Sequence, residues 1–134
     1  MNAQEKPILL IEDDKVDIVI TKRLLKDSGV FNPVVSVLEG EEGLRYLQEH
    51  KSLLPCLVFL DLNLPRMDGW KVLETIKSDE VLRHIPVAIV TGSNEDEDKS
   101  RGQALGVVDY IVKDSNKDTF GGLLVQALET SGAV

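Results

Sequence analysis

The stretch Leu57-Val58-Phe59-Leu60, followed directly by Asp61, decides the fold. Four apolar residues in a row, without the alternation of a half-buried strand, are typical of a strand that is covered on both faces. Similar runs lie at residues 8–11 and 87–90, and two more polar ones at 34–38 and 107–112. Between these runs the apolar residues recur at helical spacing. Strands that alternate with helices predict an α/β fold, in which helices cover both faces of a parallel sheet.

The polarity of the five predicted strands indicates their order. The three purely apolar strands belong in the middle of the sheet, whereas Ser36 in the second strand and Asp109 in the fifth suit edge positions. The pattern therefore predicts a flavodoxin-like, doubly wound five-stranded parallel sheet of order 2-1-3-4-5, with five helices and right-handed crossovers. The apolar stripes of the first and last helices are predicted to be Val16, Val19, Ile20 and Leu24, and Phe120, Leu123, Leu124, Ala127 and Leu128.

Length and charge exclude several classes of function. A chain of 134 residues is long enough for one domain with a sizeable core. Its net charge of -8 repels nucleic acids and anionic lipids, so proteins and cations are the expected partners. The chain carries no secretory signal, and no apolar run approaches the roughly 18 residues of a membrane span. The single cysteine, Cys56, fits a reducing environment, so we expect a cytoplasmic location.

Polar side chains follow the strands at the points where ligands bind in sheets of this kind. Parallel sheets bind ligands beyond the carboxyl ends of their central strands. Acids follow the first and third predicted strands, a hydroxyl follows the fourth and an ammonium the fifth. These residues are Glu12, Asp13 and Asp14, then Asp61, Thr91 and Lys113. The sequence therefore predicts a site at this edge of the sheet, with Asp14 also suited to cap the first helix.

The types of side chain indicate the chemistry of the predicted site. Clustered carboxylates repel one another, and a dication relieves the repulsion. Oxygen ligands without His or Cys favour Mg²⁺ or Mn²⁺. One carboxylate would then be free to act as a nucleophile in phosphoryl transfer. The metal, Lys113, and Thr91 with nearby backbone N–H groups would each bind one oxygen of the transferred phosphoryl group.

The chain resembles the response-regulator receiver domains of two-component signalling from Ile8 to about Leu128. The most specific stretches are residues 8–14, 60–69, 90–93 and 109–113. Residues 62–69, with Ile76-Lys77 and Ile85-Pro86-Val87, are similar to the stand-alone regulators that pair with bacterial phytochromes. The resemblance implies one receiver domain over residues 1–134 without an attached output domain. It also implies a sensor histidine kinase, such as a bacteriophytochrome, as partner. Dimerisation of two copies would be one way to pass the signal on.

The resemblance also implies a role for each site residue. Asp61 would accept the phosphoryl group, and Glu12 and Asp13 would form the acidic pair, with Asp13 as the direct metal ligand. Lys113 would hold a phosphoryl oxygen. The backbone carbonyl of Asn63 would complete the metal's protein ligands, and Thr91 and Tyr110 would rearrange together on phosphorylation. Such a domain catalyses only its own phosphorylation and dephosphorylation, and signals through the surface of the fourth helix, fifth strand and fifth helix.

One position departs from the family's pattern. The family usually has a cis proline after the lysine, whereas Asp114 follows Lys113 here. A cis bond before a non-proline residue costs about 2.5–4 kcal/mol. The sequence therefore leaves two outcomes open, a costly cis bond or a trans loop that displaces Lys113.

Four other functions compete with this interpretation. A phosphohydrolase of the haloacid dehalogenase type needs an acid two residues after its nucleophile, where this chain has Asn63. A flavin-binding module would not place Glu12 and Asp13 beside a phosphate. An interaction module that is independent of phosphorylation would not need the complete set of acids, Thr91 and Lys113. An intermediate in a phosphorelay would use the same residues, and the sequence does not distinguish it.

Overall fold

The structure is a computed structural model that describes residues 6–133. Five parallel strands form one sheet in the order β2-β1-β3-β4-β5, and five α-helices alternate with them, as predicted. A short 3-10 helix at Leu82–His84 precedes β4. The elements are β1 (Ile8–Ile11), α1 (Lys15–Asp27), β2 (Val34–Val37), α2 (Gly40–Glu49), β3 (Leu57–Leu60), α3 (Gly69–Ser78), β4 (Val87–Thr91), α4 (Asp96–Ala104), β5 (Asp109–Val112) and α5 (Lys117–Ser131).

The register of the central strands places the polar residues side by side. In the β1–β3 pair, Ile11 lies opposite Leu60, so the residues that follow both strands emerge at the same edge. The backbone N–H of Asp61 donates to the Ile11 carbonyl at 3.0 Å. In the β4–β5 pair the N–H of Lys113 donates to the Thr91 carbonyl at 2.8 Å. The sheet therefore brings the ends of β1, β3, β4 and β5 to one rim.

Two apolar cores lie on the two faces of the sheet. Alternate residues of β1 point to opposite sides, so Leu10 packs with Phe59 and the inner faces of α1 and α5, and Leu9 packs with the side of α2 and α3. Every residue of β1, β3 and β4 is buried, whereas β2 and most of β5 are half-buried. This contrast confirms the prediction of middle and edge strands from polarity.

The buried face of α1 agrees only in part with the predicted one: Ile20 and Leu24 are half-buried and pack against the core. The predicted stripe contained Val16 and Val19, but these side chains are 67% and 62% exposed. The helix instead buries Ile18 and Leu25, which have the same helical periodicity. Because apolar residues extend around much of α1, periodicity identified the helix but only part of the face that packs on the sheet.

The fifth strand begins at Asp109, two residues later than predicted. Val107 follows α4 and closes its last turn, because its N–H donates to the Gly102 carbonyl at 3.2 Å and Gly106 adopts a positive φ of 79°. This is the usual way in which a helix closes with a left-handed glycine. Val107 therefore lies in the connection to the strand, although its side chain is apolar.

The fourth helix rests on the domain through few apolar contacts, as predicted. Within the described residues, Gly102 is the only residue of α4 that is buried. On its outer side the Arg101 guanidinium lies 4.4 Å from the centre of the Trp70 ring and pairs with Glu74 at 3.0 Å. None of the helices within residues 6–133 combines the length and hydropathy that a bilayer crossing requires.

Candidate functional site

Lys113 lies at the centre of the polar rim. Its ammonium nitrogen Nζ is 2.7 Å from Glu12 Oε1 and 3.0 Å from Asp61 Oδ2. A third carboxylate oxygen, Asp17 Oδ2, lies 2.8 Å away. The three acids come from the end of β1, the end of β3 and the first turn of α1, so one cation joins three elements. The structure thus brings together Glu12, Asp61 and Lys113, as predicted.

The burial of these groups and the contacts between them shift the pKa values of Glu12 and Lys113. The side chains of Glu12 and Asp61 are 4% and 5% exposed. Burial, reinforced by the hydrogen bond with the Asp61 carboxyl, raises the pKa of Glu12 from 4.5 to about 7, although Lys113 acts in the opposite sense. Burial acts to lower the pKa of Lys113, but its bonds with Asp17, Glu12 and Asp61 outweigh that effect and raise the pKa above its ordinary value. The two shifts have different main causes, burial for Glu12 and the three carboxylate partners for Lys113, and both favour a bound proton.

Three acids at the rim form a set that fits a divalent cation. Glu12, Asp13 and Asp61 each offer one carboxylate oxygen, and these oxygens lie within 4.8 Å of one another. Hard cations bind oxygens at about 2.0–2.6 Å, so a single ion can contact all three. Asp13 is exposed while the other two are buried, so the set opens towards solvent on the side of Asp13. Asp14 lies outside it and caps α1, accepting from the N–H groups of Val16 and Asp17.

The β3–α3 connection fixes the orientation of Asp61. The N–H of Asn63 donates to Asp61 Oδ1 at 3.1 Å, so one carboxylate oxygen faces the loop and the other faces Lys113. Gly69 then returns the chain to the end of β3, where its N–H donates to the Leu62 carbonyl at 2.9 Å. The close approach of Gly69 to the backbone of Asp61 leaves no space for a side chain at this position.

Thr91 and Tyr110 are linked through one residue, Ser93. The fully buried Thr91 hydroxyl accepts from the Ser93 N–H at 3.4 Å. The Tyr110 hydroxyl donates to the Ser93 carbonyl at 3.1 Å. The Ser93 hydroxyl in turn donates to Asp98 in the first turn of α4 at 2.6 Å. Ser93 therefore connects Thr91 to both Tyr110 and α4, so a displacement of Thr91 that moves Ser93 would change the contacts of both.

The junction at Lys113 and Asp114 is trans, since no peptide bond within residues 6–133 is cis. Of the two outcomes left open by the sequence, the structure shows the trans loop. The expected displacement of the lysine does not follow, because Lys113 still reaches both Glu12 and Asp61.

Sequence reasoning missed Asp17. In the sequence it reads as an acid in the first turn of α1, which suits the helix dipole. The available signal was its position in the first turn of α1, shortly after the acids that follow β1, which keeps it near the same rim. Its partner Lys113 lies 96 residues away, so no local pattern identifies the pair.

The arrangement is suited to reaction at a carboxylate. Asp61 is a buried carboxylate whose two oxygens are oriented by different donors, next to a fixed ammonium and an oxygen set for a dication. Electrostatic stabilisation of this kind is what transfer of a phosphoryl group requires from a protein.

Comparison with known proteins agrees with this arrangement. Residues 8–124 match the family described as the response regulator receiver domain. The response regulator Rcp1 of Synechocystis sp. is 36% identical over 130 residues, covering 93% of this chain and 87% of Rcp1. A structure of Rcp1 in its Mn²⁺-bound form superposes with a TM-score of 0.79, at 33% identity over 93% of this chain and 92% of the other.

Two further solved structures belong to regulators of phytochrome systems. The phosphorylated cyanobacterial phytochrome response regulator RcpA has a TM-score of 0.83 and is 36% identical, over 93% of this chain and 92% of RcpA. The bacteriophytochrome response regulator AtBRR has a TM-score of 0.81 and is 36% identical, over 97% and 94% of the two chains. This chain belongs to the response regulator receiver domain family, signalling domains that bind a divalent metal and whose general function is phosphorylation on an aspartate.

Proposed function

We propose that Asp61 accepts a phosphoryl group from a sensor histidine kinase in a Mg²⁺-dependent reaction. The observation that carries this proposal is the position of the Asp61 carboxylate, which is buried between Lys113 and the acids Glu12 and Asp13. Among the described carboxylates of the rim, Asp61 alone follows the central strand β3, and its two oxygens accept from the Asn63 N–H and from the Lys113 ammonium.

In the proposed reaction, an oxygen of Asp61 attacks the phosphorus of a phosphohistidine. The new O–P bond forms as the P–N bond breaks, and the imidazole leaves with the electron pair. The transferred group carries its charge on three oxygens, which must be neutralised. Lys113 donates to one of them, and Thr91 with the backbone N–H groups after β4 donates to another.

Glu12, Asp13, Asp61 and the backbone carbonyl of Asn63 would hold the metal in this proposal. A bound dication supplies charge neutralisation at the phosphoryl oxygens. The choice of Mg²⁺ rests on the all-oxygen donor set and on the exposed side of the set at Asp13, since magnesium usually keeps several waters. Mn²⁺ has similar ligand preferences.

The kinase partner is proposed to be a bacteriophytochrome. This rests on the similarity to RcpA and AtBRR, both of which are named as phytochrome or bacteriophytochrome response regulators. We place the exchange in the cytoplasm, in agreement with the free thiol of Cys56. Output would pass from Thr91 through Ser93 and Tyr110 to the surface formed by α4, β5 and α5, which a partner protein or a second copy would read.

A phosphohydrolase is not favoured by the site. The residue two positions beyond the proposed nucleophile is Asn63, whose amide cannot donate and regain a proton as a carboxyl does. A role as a phosphorelay intermediate uses the same chemistry at Asp61. Transfer of the phosphoryl group from Asp61 back to a histidine on a second protein would identify it.

The test compares Asp61→Asn with the matched variant Asp68→Asn. Asp68 lies seven residues further on and caps α3, a role that Asn fills equally well. Intact-protein mass spectrometry after incubation with acetyl phosphate and Mg²⁺ should show one added phosphoryl group on the wild type and on Asp68→Asn. Asp61→Asn should show none, and EDTA should abolish labelling of the wild type and of Asp68→Asn. Labelling of Asp61→Asn at the wild-type rate would exclude Asp61 as the acceptor.

A further inference from the structure

We propose that Asp17 is a positioning residue for the phosphoryl-transfer reaction, because it holds the Lys113 ammonium at the site once the metal is bound. The inference rests on the proposed function of Asp61 and adds a residue that is neither a ligand in the acidic set nor the acceptor. Asp17 acts through Lys113 and does not itself contact the reacting atoms.

The geometry of the ammonium group gives the first reason. An ammonium has three N–H donors, and Lys113 directs them to three carboxylate oxygens at 2.7, 2.8 and 3.0 Å. Asp17 provides the one at 2.8 Å, and the longest contact is the one to Asp61. When Asp61 is phosphorylated, the donor that faces it can turn to a phosphoryl oxygen while the bond to Asp17 is kept.

The second reason is that a bound dication would share the charge of two of the three acids but not that of the third. Glu12 and Asp61 belong to the oxygen set that would hold the metal, so their charge is then shared with the ion. The ion also repels the ammonium. Asp17 lies outside that set, and its carboxylate remains fully available to Lys113. In the metal-bound protein Asp17 is therefore the principal counter-charge that keeps the ammonium in place.

The third reason is a cavity into which Lys113 can otherwise move. A cavity of about 260 Å³ lies between α1 and the β5–α5 connection, and both Asp17 and Lys113 line it. Its other lining residues include Asp114 and Lys117. A lysine side chain has a long flexible stem. Without Asp17, the ammonium of Lys113 can turn away from Asp61 into this space.

A simpler role for Asp17 must be distinguished from this one. Its backbone N–H donates to the capping residue Asp14 at 3.2 Å, and it lies in the first turn of α1, where an acid stabilises the helix dipole. That role depends on the charge of Asp17 and does not involve Lys113. The two roles therefore differ in whether the effect of removing Asp17 depends on the lysine.

The experiment measures phosphorylation of the full chain by acetyl phosphate at saturating Mg²⁺ in a double-mutant cycle. The variants are Asp17→Asn, Lys113→Met and the double variant, with Asp27→Asn at the other end of α1 as the control for lost charge. We expect Asp17→Asn to slow labelling about tenfold, which corresponds to about 1.4 kcal/mol. Asp17→Glu should restore part of the rate, and Asp27→Asn should behave as wild type. In the Lys113→Met background the Asp17→Asn change should have no further effect.

A second measurement does not depend on activity. With saturating Mg²⁺ and no phosphodonor, the ¹⁵N-labelled ammonium of Lys113 should give a protected NMR signal in the wild type and in Asp27→Asn. Asp17→Asn should lose that protection. Equal slowing by Asp17→Asn with and without Lys113, or an unchanged ammonium signal, would overturn the proposal. If the wild type is not labelled at all, the proposed function of Asp61 fails, and the NMR signal still decides the role of Asp17.

Discussion

Replacement of Gly69 by alanine should damage both the stability of the domain and its phosphorylation. A Cβ atom at this position would overlap the Asp61 carbonyl oxygen and lie 2.6 Å from the Leu62 Cα, whereas ordinary contacts begin at 3.4 Å. Both neighbours are backbone atoms that cannot rotate away. The loop that carries Asp61 would therefore have to move by about 1 Å, and the hydrogen bond from the Gly69 N–H to Leu62 would be strained.

The expected magnitude follows from these contacts. Overpacking of this kind costs about 1–3 kcal/mol, and a strained hydrogen bond adds about 1 kcal/mol. The same substitution at Gly122 in α5 is the matched control, because its Cβ would meet nothing within 4 Å. In the interior of a helix, Gly→Ala stabilises by roughly 0.5–1 kcal/mol. The two variants should therefore shift the free energy of unfolding in opposite directions.

Two assays measure the effects on stability and on phosphorylation separately. Urea unfolding should show a loss for Gly69→Ala and a gain for Gly122→Ala, with unchanged m-values. A displacement of about 1 Å at the reacting carboxylate should also slow phosphorylation by up to about a hundredfold in Gly69→Ala, while Gly122→Ala reacts normally. Wild-type stability in Gly69→Ala would refute the steric argument. A normal labelling rate in a destabilised Gly69→Ala would refute the claim that the loop positions Asp61.

Two further predictions concern Glu12 and the contact of α4. Because the pKa of Glu12 is raised from 4.5 to about 7, the folded protein holds a proton that the unfolded chain releases. Without metal, the free energy of unfolding should fall as the pH rises from 4.5 to about 7, by at most ~1.4 kcal/mol per pH unit. Urea titrations with EDTA at several pH values measure this slope, and Glu12→Gln should flatten it. Arg101→Ala removes the contact with Trp70 and should destabilise α4 by about 0.5–1 kcal/mol. Faster hydrogen exchange over residues 92–106 would report that loss, and exchange identical to the wild type would contradict it.

Much of the fold follows from features that act locally in the sequence. A run such as Leu57–Leu60 can be buried only if both faces of its strand are covered, and polarity alone places Ser36 and Asp109 at the edges of the sheet. Once the order of the strands is known, the residue after each strand must lie at the common rim. The proximity of Glu12, Asp61 and Lys113 therefore follows from the topology.

The remaining features depend on contacts between distant parts of the chain. Apolar residues extend around much of helix α1, and the face that is buried is selected by the neighbouring α5 and sheet, which leaves Val16 and Val19 exposed. The pairing of Asp17 with Lys113 likewise arises only when α1 and the end of β5 are packed together. The sequence also does not determine whether a trans bond after Lys113 can deliver its ammonium to Asp61, because that depends on the reach of a flexible side chain.

The balance of charge at the rim explains why this site should depend on a dication. Glu12, Asp17 and Asp61 contact a single ammonium and Asp13 lies beside Glu12 and Asp61, so the ionised site carries an excess of negative charge. A phosphoryl group brings further negative charge into the same space, and repulsion opposes its approach. Burial raises the pKa of Glu12, and a proton on this carboxyl would relieve part of the excess in the metal-free protein. Binding of a dication would displace that proton, and so metal affinity and proton release at Glu12 must be coupled.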